Sequence, residues 1–293
     1  DRTRAYYAET LPNPKLHVFP VREVAEIGRK LGVPLIMDNT ACPILCRPIE
    51  HGAAVVMHST TKYIGGHGTS IGGIVVDGGN FDWEANAKRF PLLNEPDPSY
   101  HGAVWTQAVK PLGPIAYIIR MRVILLRDLG APMSPFNAFM FLQGLETLPL
   151  RMERHCENAL KVATHLAQHK AVTKVIYPSF FEGEQKRRAE YYPKGGYGAL
   201  VGFELPGGKE AGRAFIDSLK LLYHVANIGD ARSLAIHPAS TTHSQLNAKE
   251  QFATGVTPGY VRLAVGIEHI DDILADIDQA LEAATTPARK AAE

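Results

Sequence analysis

The segment HSTTKY, residues 58–63, closes an apolar run and sets Lys62 one step after two threonines. A solvated loop lysine is the ordinary reading of such a position. At the end of a buried strand, however, a partly dry pocket lowers a lysine's pKa, and Schiff-base chemistry requires the neutral amine. Ser59 and Thr61 add hydroxyl donors able to hold a phosphate monoester without adding charge, although such residues also simply terminate strands. Asp38, in MDNT, ends an earlier apolar run. A carboxylate held against a pyridine nitrogen keeps it protonated and makes the ring an electron sink; an aspartate in that setting also caps turns. Asn13, in ETLPNP, has the donor to meet the phenolate oxygen of the same ring, or is only a turn residue. Arg262 interrupts the apolar run YVRLAVG. A guanidinium buried there needs an anion, either a substrate α-carboxylate matched by its fork or a structural Asp or Glu partner.

Elements must position these groups. Pro20 opens VREVAEIGRK, where Val21, Val24, Ala25 and Ile27 recur at helical spacing and Gly32 follows the end. Three short apolar runs then stop at polar residues: PLIM at Asp38, AAVVM at His58-Ser59, GGIVV at Asp77-Gly78. Such runs between helices predict buried parallel strands of an α/β sheet, whose ligands bind beyond the strands' carboxyl ends. Residues 80–114, rich in Pro, Asn, Asp and aromatics, predict a long irregular loop. From Pro135 to His169 a helical pattern predicts one long helix or two joining the domains. Beyond Ala171, VTKVIY, GALVGFEL and YVRLAV read as strands and GKEAGRAFIDSL as a helix. IDDILADIDQALEAA reads as a closing helix with Ile270, Ile273, Leu274, Ile277 and Leu281 on one face. TTPARKAAE reads as a frayed tail. The division expected is a cofactor-binding domain over 1–140 and a smaller α+β domain over 141–293. The first helix and strand come after only a short lead-in, with no Gly-rich phosphate loop before them, which points to an earlier part of the natural domain lying outside this chain.

Composition narrows the classes. The chain has 293 residues, 31 Lys plus Arg against 30 Asp plus Glu, and 45% hydrophobic residues. That balance supplies no basic field for nucleic acid, and no apolar run approaches a membrane span. The start, DRTRAYYAET, lacks the apolar stretch of a signal peptide. Three cysteines (Cys42, Cys46 and Cys156) argue for buried thiols in a reducing, cytoplasmic setting rather than a disulfide framework. Cys42, Cys46, His51 and His58 make a poor zinc pattern, because the second pair is too widely spaced, so no metal is expected. GGHGTSIGG (65–73) is neither a phosphate loop nor a clean dinucleotide fingerprint. HPASTTH (237–243) contains a Ser and a His but no obvious acid to complete a hydrolase triad.

An ordered series (ETLPNP, MDNT, HSTTKYIGGHG, FLQGLETLPLRMERH, NIGDARSLAIHPASTTH, VRLAVGIEHIDD) resembles the Cys/Met-metabolism family of pyridoxal-phosphate (PLP) enzymes over nearly the whole chain. The resemblance implies the PLP-dependent transferase fold type I, an α/β fold whose large domain is a mostly parallel sheet. It implies that Lys62 carries PLP, Asp38 meets the ring nitrogen, Ser59 and Thr61 bind the phosphate, and Asn13 neighbours the ring hydroxyl. Arg262, with the backbone around Asn227, becomes the substrate-carboxylate clamp. LNEPDPSYHG, NIGDARSL and LPLRMERH are most similar to the O-acetylhomoserine sulfhydrylase branch. That implies γ-replacement on O-acetyl-L-homoserine by sulfide or a small thiol, in a homotetramer with shared sites. Sibling activities on the same scaffold are the cystathionine γ-synthase, O-succinylhomoserine sulfhydrylase and methionine γ-lyase reactions; a non-catalytic PLP-fold subunit is the alternative of another class. The family's N-terminal portion, with the rest of the phosphate loop and a ring-stacking tyrosine, has no counterpart here. These residues alone are therefore expected to bind cofactor weakly and to turn over little.

Overall fold

A computed structural model describes residues 2–285, so the tail reading for 286–293 lies outside the described residues. The chain builds two sheets. The first contains β1 (Tyr6–Glu9), β2 (Leu35–Asp38), β3 (Val55–Ser59) and β4 (Gly73–Asp77), side by side in chain order. The strands β1, β2 and β3 are parallel, whereas β4 returns antiparallel to β3. The parallel reading of the run GGIVV is corrected there. The stretch between β3 and β4 begins with the turn Thr60–Ile64 and folds back, so that β4 pairs antiparallel with β3. The strand YYAE was not foreseen, because two tyrosines before a glutamate do not make an apolar run.

Helix α1 (Val21–Leu31) connects β1 to β2 and ends on Gly32 in the left-handed region, whose N–H bonds Arg29 O and Gly28 O. Its inner face is Val21, Ala25 and Gly28; Ile27 points outward. Residues 80–114 are not an irregular loop. Two short helices within them, α2 (Pro91–Asn94) and α3 (Trp105–Ala108), together with α4 (Ala116–Met121) just beyond, enclose a satellite core of Trp83, Leu93, Trp105, Val109 and Ala116. Burying indoles there gives the segment a hydrophobic reason to fold that its irregular spacing concealed.

The helical stretch from 135 resolves into α5 (Pro135–Glu146) and α6 (Leu148–Gln168). Along α6, Leu148, Met152, Cys156, Ala159, Ala163 and Leu166 are buried in one core that also contains Leu35 and Met37 of the first sheet and Val201 and Phe203 of the second. The second sheet follows the order β5 (Lys174–Ile176), β6 (Leu200–Glu204), β9 (Tyr260–Ala264), β8 (Leu234–Ile236), β7 (Tyr223–His224). Helices α7 (Gly183–Tyr191), α8 (Gly208–Ser218), α9 (Ala248–Thr254) and α10 (Ile270–Thr285) complete this half. In α10 the foreseen face holds, with Ile273, Ile277 and Leu281 fully buried, each contributing about 1.5–3 kcal/mol by burial. Among the described residues no helix is long and apolar enough to cross a membrane.

Candidate functional site

Parallel strands β2 and β3 end together, and their last residues are tied to one another. Asp38 Oδ1 accepts the Thr40 N–H at 2.9 Å, and Thr40 Oγ1 accepts the Ser59 N–H at 2.8 Å. Between them, buried Asn39 accepts from the Thr10 hydroxyl at 2.8 Å and donates to the carbonyls of Cys42 and Cys46. This amide staples the loop after β2, so Asp38 leaves the sheet on a fixed turn. Asp38 Oδ2 accepts the Tyr7 hydroxyl at 3.1 Å from the neighbouring strand.

Lys62 follows in a π-helical turn, Thr60–Ile64, and its own backbone (φ −87°, ψ −128°) departs from helical values. π-turns of this kind concentrate at functional sites. Two supports fix the turn. Arg151 of α6, buried, donates to Tyr63 O at 2.6 Å, Ile64 O at 3.2 Å, Gly144 O at 2.6 Å and the Thr147 hydroxyl at 3.2 Å. Gly66, at φ 75°, lies against that guanidinium so closely that a Cβ would come within 2.3 Å of Nη1. From the other side, the loop before β8 packs over the turn, and the Ala231 N–H donates to Gly66 O at 2.8 Å.

The Lys62 ammonium donates to Asn227 Oδ1. Burial first, and the nearby Arg262 guanidinium second, push its pKa below that of an ordinary lysine. Arg262 sits in the middle of central strand β9, 5% exposed, opposite Gly202 and Ile236. Its Nη2 donates to Asn227 O at 2.8 Å, its Nε has no partner, and among the described residues no carboxylate pairs with it. Asn227 touches both cations, through its side chain and through its carbonyl.

The remaining foreseen residues are placed as follows. Ser59 stands at the end of β3 with its backbone N–H committed to Thr40. The Thr61 hydroxyl spans the turn, accepting the Gly72 N–H at 3.0 Å and donating to Gly72 O at 3.3 Å. Asn13 is exposed, next to Glu9, whose carboxyl takes its N–H. Cys42, Cys46 and Cys156 are free and buried, and burial raises the pKa of each thiol. His237 does meet Ser240 Oγ at 2.8 Å, but its Nε2 lies 2.8 Å from Pro258 O, so no acid completes a triad. Sequence reasoning missed Tyr7, Thr40 and Arg151 as supports. The first of these was findable: Tyr7 and Glu9 alternate on the strand that pairs with β2.

The donor set fits a phosphorylated pyridine aldehyde. It offers a desolvated amine, an acid at a strand end, hydroxyls at the neighbouring strand end, and an orphaned buried Nε on an arginine lacking a counter-charge. The family profile described as Cys/Met metabolism PLP-dependent enzyme matches residues 1–282. The chain is 54% identical over 289 residues to an O-acetyl-L-homoserine sulfhydrylase of Leptospira meyeri, covering 96% of this chain and 65% of that protein. It is 49% identical over 286 residues to a homocysteine synthase of Schizosaccharomyces pombe, covering 97% and 66%. The chain thus spans 65% and 66% of the length of these two curated relatives. A solved structure from Campylobacter jejuni, described as an O-acetylhomoserine (thiol)-lyase with N′-pyridoxyl-lysine-5′-monophosphate, superposes with a TM-score of 0.89 at 38% identity, covering 96% of this chain and 67% of that one. A cystathionine gamma synthase structure from Xanthomonas oryzae superposes at 0.77 with 34% identity, covering 97% and 64%. The fold is the PLP fold type I.

Proposed function

The chain belongs to the Cys/Met metabolism PLP-dependent enzyme family, and on that premise we propose that it carries the lysine of a γ-replacement enzyme. The reaction is O-acetyl-L-homoserine plus sulfide to L-homocysteine plus acetate; a small thiol such as methanethiol gives methionine. The sulfur electron pair forms the S–Cγ bond, and acetate leaves with the pair of the broken Cγ–O bond. One observation carries the reading: two cations, Lys62 and Arg262, converge on Asn227 with no paired carboxylate on Arg262. Such a pairing is costly in an empty protein and useful for an anionic amino acid. The names of relatives at 46–54% identity support the acetyl ester and the sulfur donor.

In this reading residues 1–140 form the cofactor-binding part and 141–293 the smaller C-terminal part. Lys62 Nζ holds the cofactor and later carries the proton of the substrate Cα. Asp38 meets the ring nitrogen, Asn13 the ring hydroxyl, and the Ser59 and Thr61 hydroxyls the phosphate, Thr61 releasing Gly72 O to do so. Arg262, with Asn227, fixes the substrate α-carboxylate. The cofactor, when bound, supplies an electron-withdrawing ring that stabilises negative charge at Cα. We extend the reading to a cytoplasmic homotetramer with sites shared between subunits. Phe136, Phe139, Leu142 and Leu145 support an oligomeric face, since they leave an exposed apolar stripe along α5, and three free thiols support a reducing compartment.

The test is borohydride reduction of the cofactor-loaded protein, followed by peptide mass spectrometry and product assay. A pyridoxyl adduct on the Lys62 peptide, absent in Lys62→Ala, together with homocysteine formed only when sulfide accompanies O-acetylhomoserine, is the expected result. An adduct on another lysine, or 2-oxobutyrate as main product without sulfide, refutes it.

A further inference from the structure

We propose that Tyr7 is a positioning residue, its hydroxyl fixing the Asp38 carboxylate in the plane that presents it to the cofactor's ring nitrogen. The inference rests on the reading of Asp38 given above. It starts from strand register: β1 and β2 are parallel, with Tyr7 opposite Ile36 and Glu9 opposite Asp38. Side chains two apart share a face, so Tyr7 and Glu9 rise on the face of the sheet that carries Asp38. The two oxygens of Asp38 are then held differently. Oδ1 is fixed from within its own turn by the Thr40 N–H at 2.9 Å. Oδ2 receives the Tyr7 hydroxyl at 3.1 Å, and among the described residues Tyr7 is the one side-chain donor this carboxylate has.

An aspartate's terminal torsion is broad and roughly two-fold, so one donor on Oδ1 leaves the plane soft. A second donor on Oδ2, borne by a ring with only two torsions, removes that freedom. Each oxygen keeps a lone pair, and Oδ2 can still take a pyridinium N–H. The titratable groups around Asp38 are Tyr7, Glu9 and His58. Burial first, and the Asp38 charge second, push the Tyr7 phenol up to about 12, so it stays protonated and donates across the working range. Glu9, across the strand from Asp38, has its pKa raised by burial and then by the Asp38 charge. Burial lowers the pKa of His58, while Asp38 acts in the opposite sense. Tyr7 is 59% exposed, so removing its hydroxyl opens no cavity.

The experiment is a double-mutant cycle on the full chain, with the PLP dissociation constant measured by absorbance titration and the melting temperature of the ligand-free protein as control. Tyr7→Phe is expected to weaken PLP binding about three- to tenfold, the cost of ordering on binding one side chain that the hydroxyl otherwise holds in place, with the ligand-free melting temperature unchanged because water replaces the partly exposed bond. In an Asp38→Asn background the same substitution is expected to change nothing further. An effect of Tyr7→Phe below twofold, or one of equal size in both backgrounds, overturns the inference. If Asp38→Asn alone leaves both affinity and the visible band of the bound cofactor unchanged, the reading of Asp38 itself fails, and the positioning role with it.

Discussion

Arg262→Met separates a functional arginine from a structural one through the stability of the empty protein. The guanidinium is 5% exposed, makes one hydrogen bond, to Asn227 O, and has no paired carboxylate among the described residues. Its pKa is lowered by burial, and it lies close enough to Lys62 to lower that amine's pKa too. Leaving such a charge unpaired costs several kcal/mol in effective terms. Substitution by methionine forfeits the bond to Asn227 O, about 1.5–3 kcal/mol, and fills much of the stem's volume. The two nearly cancel, leaving the ligand-free variant between unchanged and about 2 kcal/mol more stable. At roughly 2–4 °C per kcal/mol for a chain of this size, the melting temperature stays put or rises by up to about 8 °C. Function moves the other way. Losing a buried charge-assisted clamp on a carboxylate costs about 2–5 kcal/mol, a rise in KM for the amino-acid substrate of about 30-fold or more. Calorimetry of the ligand-free protein beside steady-state kinetics of the loaded enzyme reads both. A fall of more than about 5 °C with KM unchanged makes Arg262 a structural strut and refutes the argument.

Two pH effects follow from the same desolvation. Lys62 binds its proton less well folded than unfolded, so it destabilises the ligand-free fold at neutral pH and ceases to do so as pH rises toward the ordinary 10.5. Lys62→Met is therefore expected to be more stable than the parent at pH 7, with the gap closing by pH 10.5 in urea titrations; a constant gap contradicts this. His155 donates Nδ1–H to Val265 O at 2.7 Å, its Nε2 is buried without a partner, and burial lowers its pKa to about 4. Its contribution is complete above the unfolded value of about 6.5 and is lost as pH falls toward 4, on the order of 3 kcal/mol in all. In His155→Gln the proton uptake on unfolding between these limits is expected to drop by about one, and equal slopes in both proteins exclude it.

The candidate site residues were legible because each violates its surroundings. Asp38 and Ser59 stop apolar runs, Lys62 stands just past one, and Arg262 breaks one from inside. Direction was less legible than existence. An apolar run such as GGIVV reads the same whichever way it pairs, so the antiparallel return of β4 leaves no mark in its residues. Residues 80–114 hid their order for a different reason: Trp83, Leu93, Trp105 and Val109 form a core with no helical or strand period, gathered from short turns whose proximity only the fold supplies.

Least legible was what holds Lys62 in place. Arg151 would be expected to announce an acid, yet its acceptors are three backbone carbonyls and one hydroxyl, and carbonyls leave no mark in a sequence. The arrangement is intelligible from both ends. Gly144 lies in the last turn of α5, where intrahelical donors run out, and Tyr63 and Ile64 close a π-turn whose lysine has left helical geometry. A planar fork with five donors satisfies all of these carbonyls at once, which an ammonium, with its three donors on a flexible stem, does poorly. The Lys62 turn is thus held by α6, which also contributes to the core shared by the two sheets, while its amine meets Asn227 in the loop that approaches Arg262. Precision at the amine therefore depends on how the halves of the fold meet.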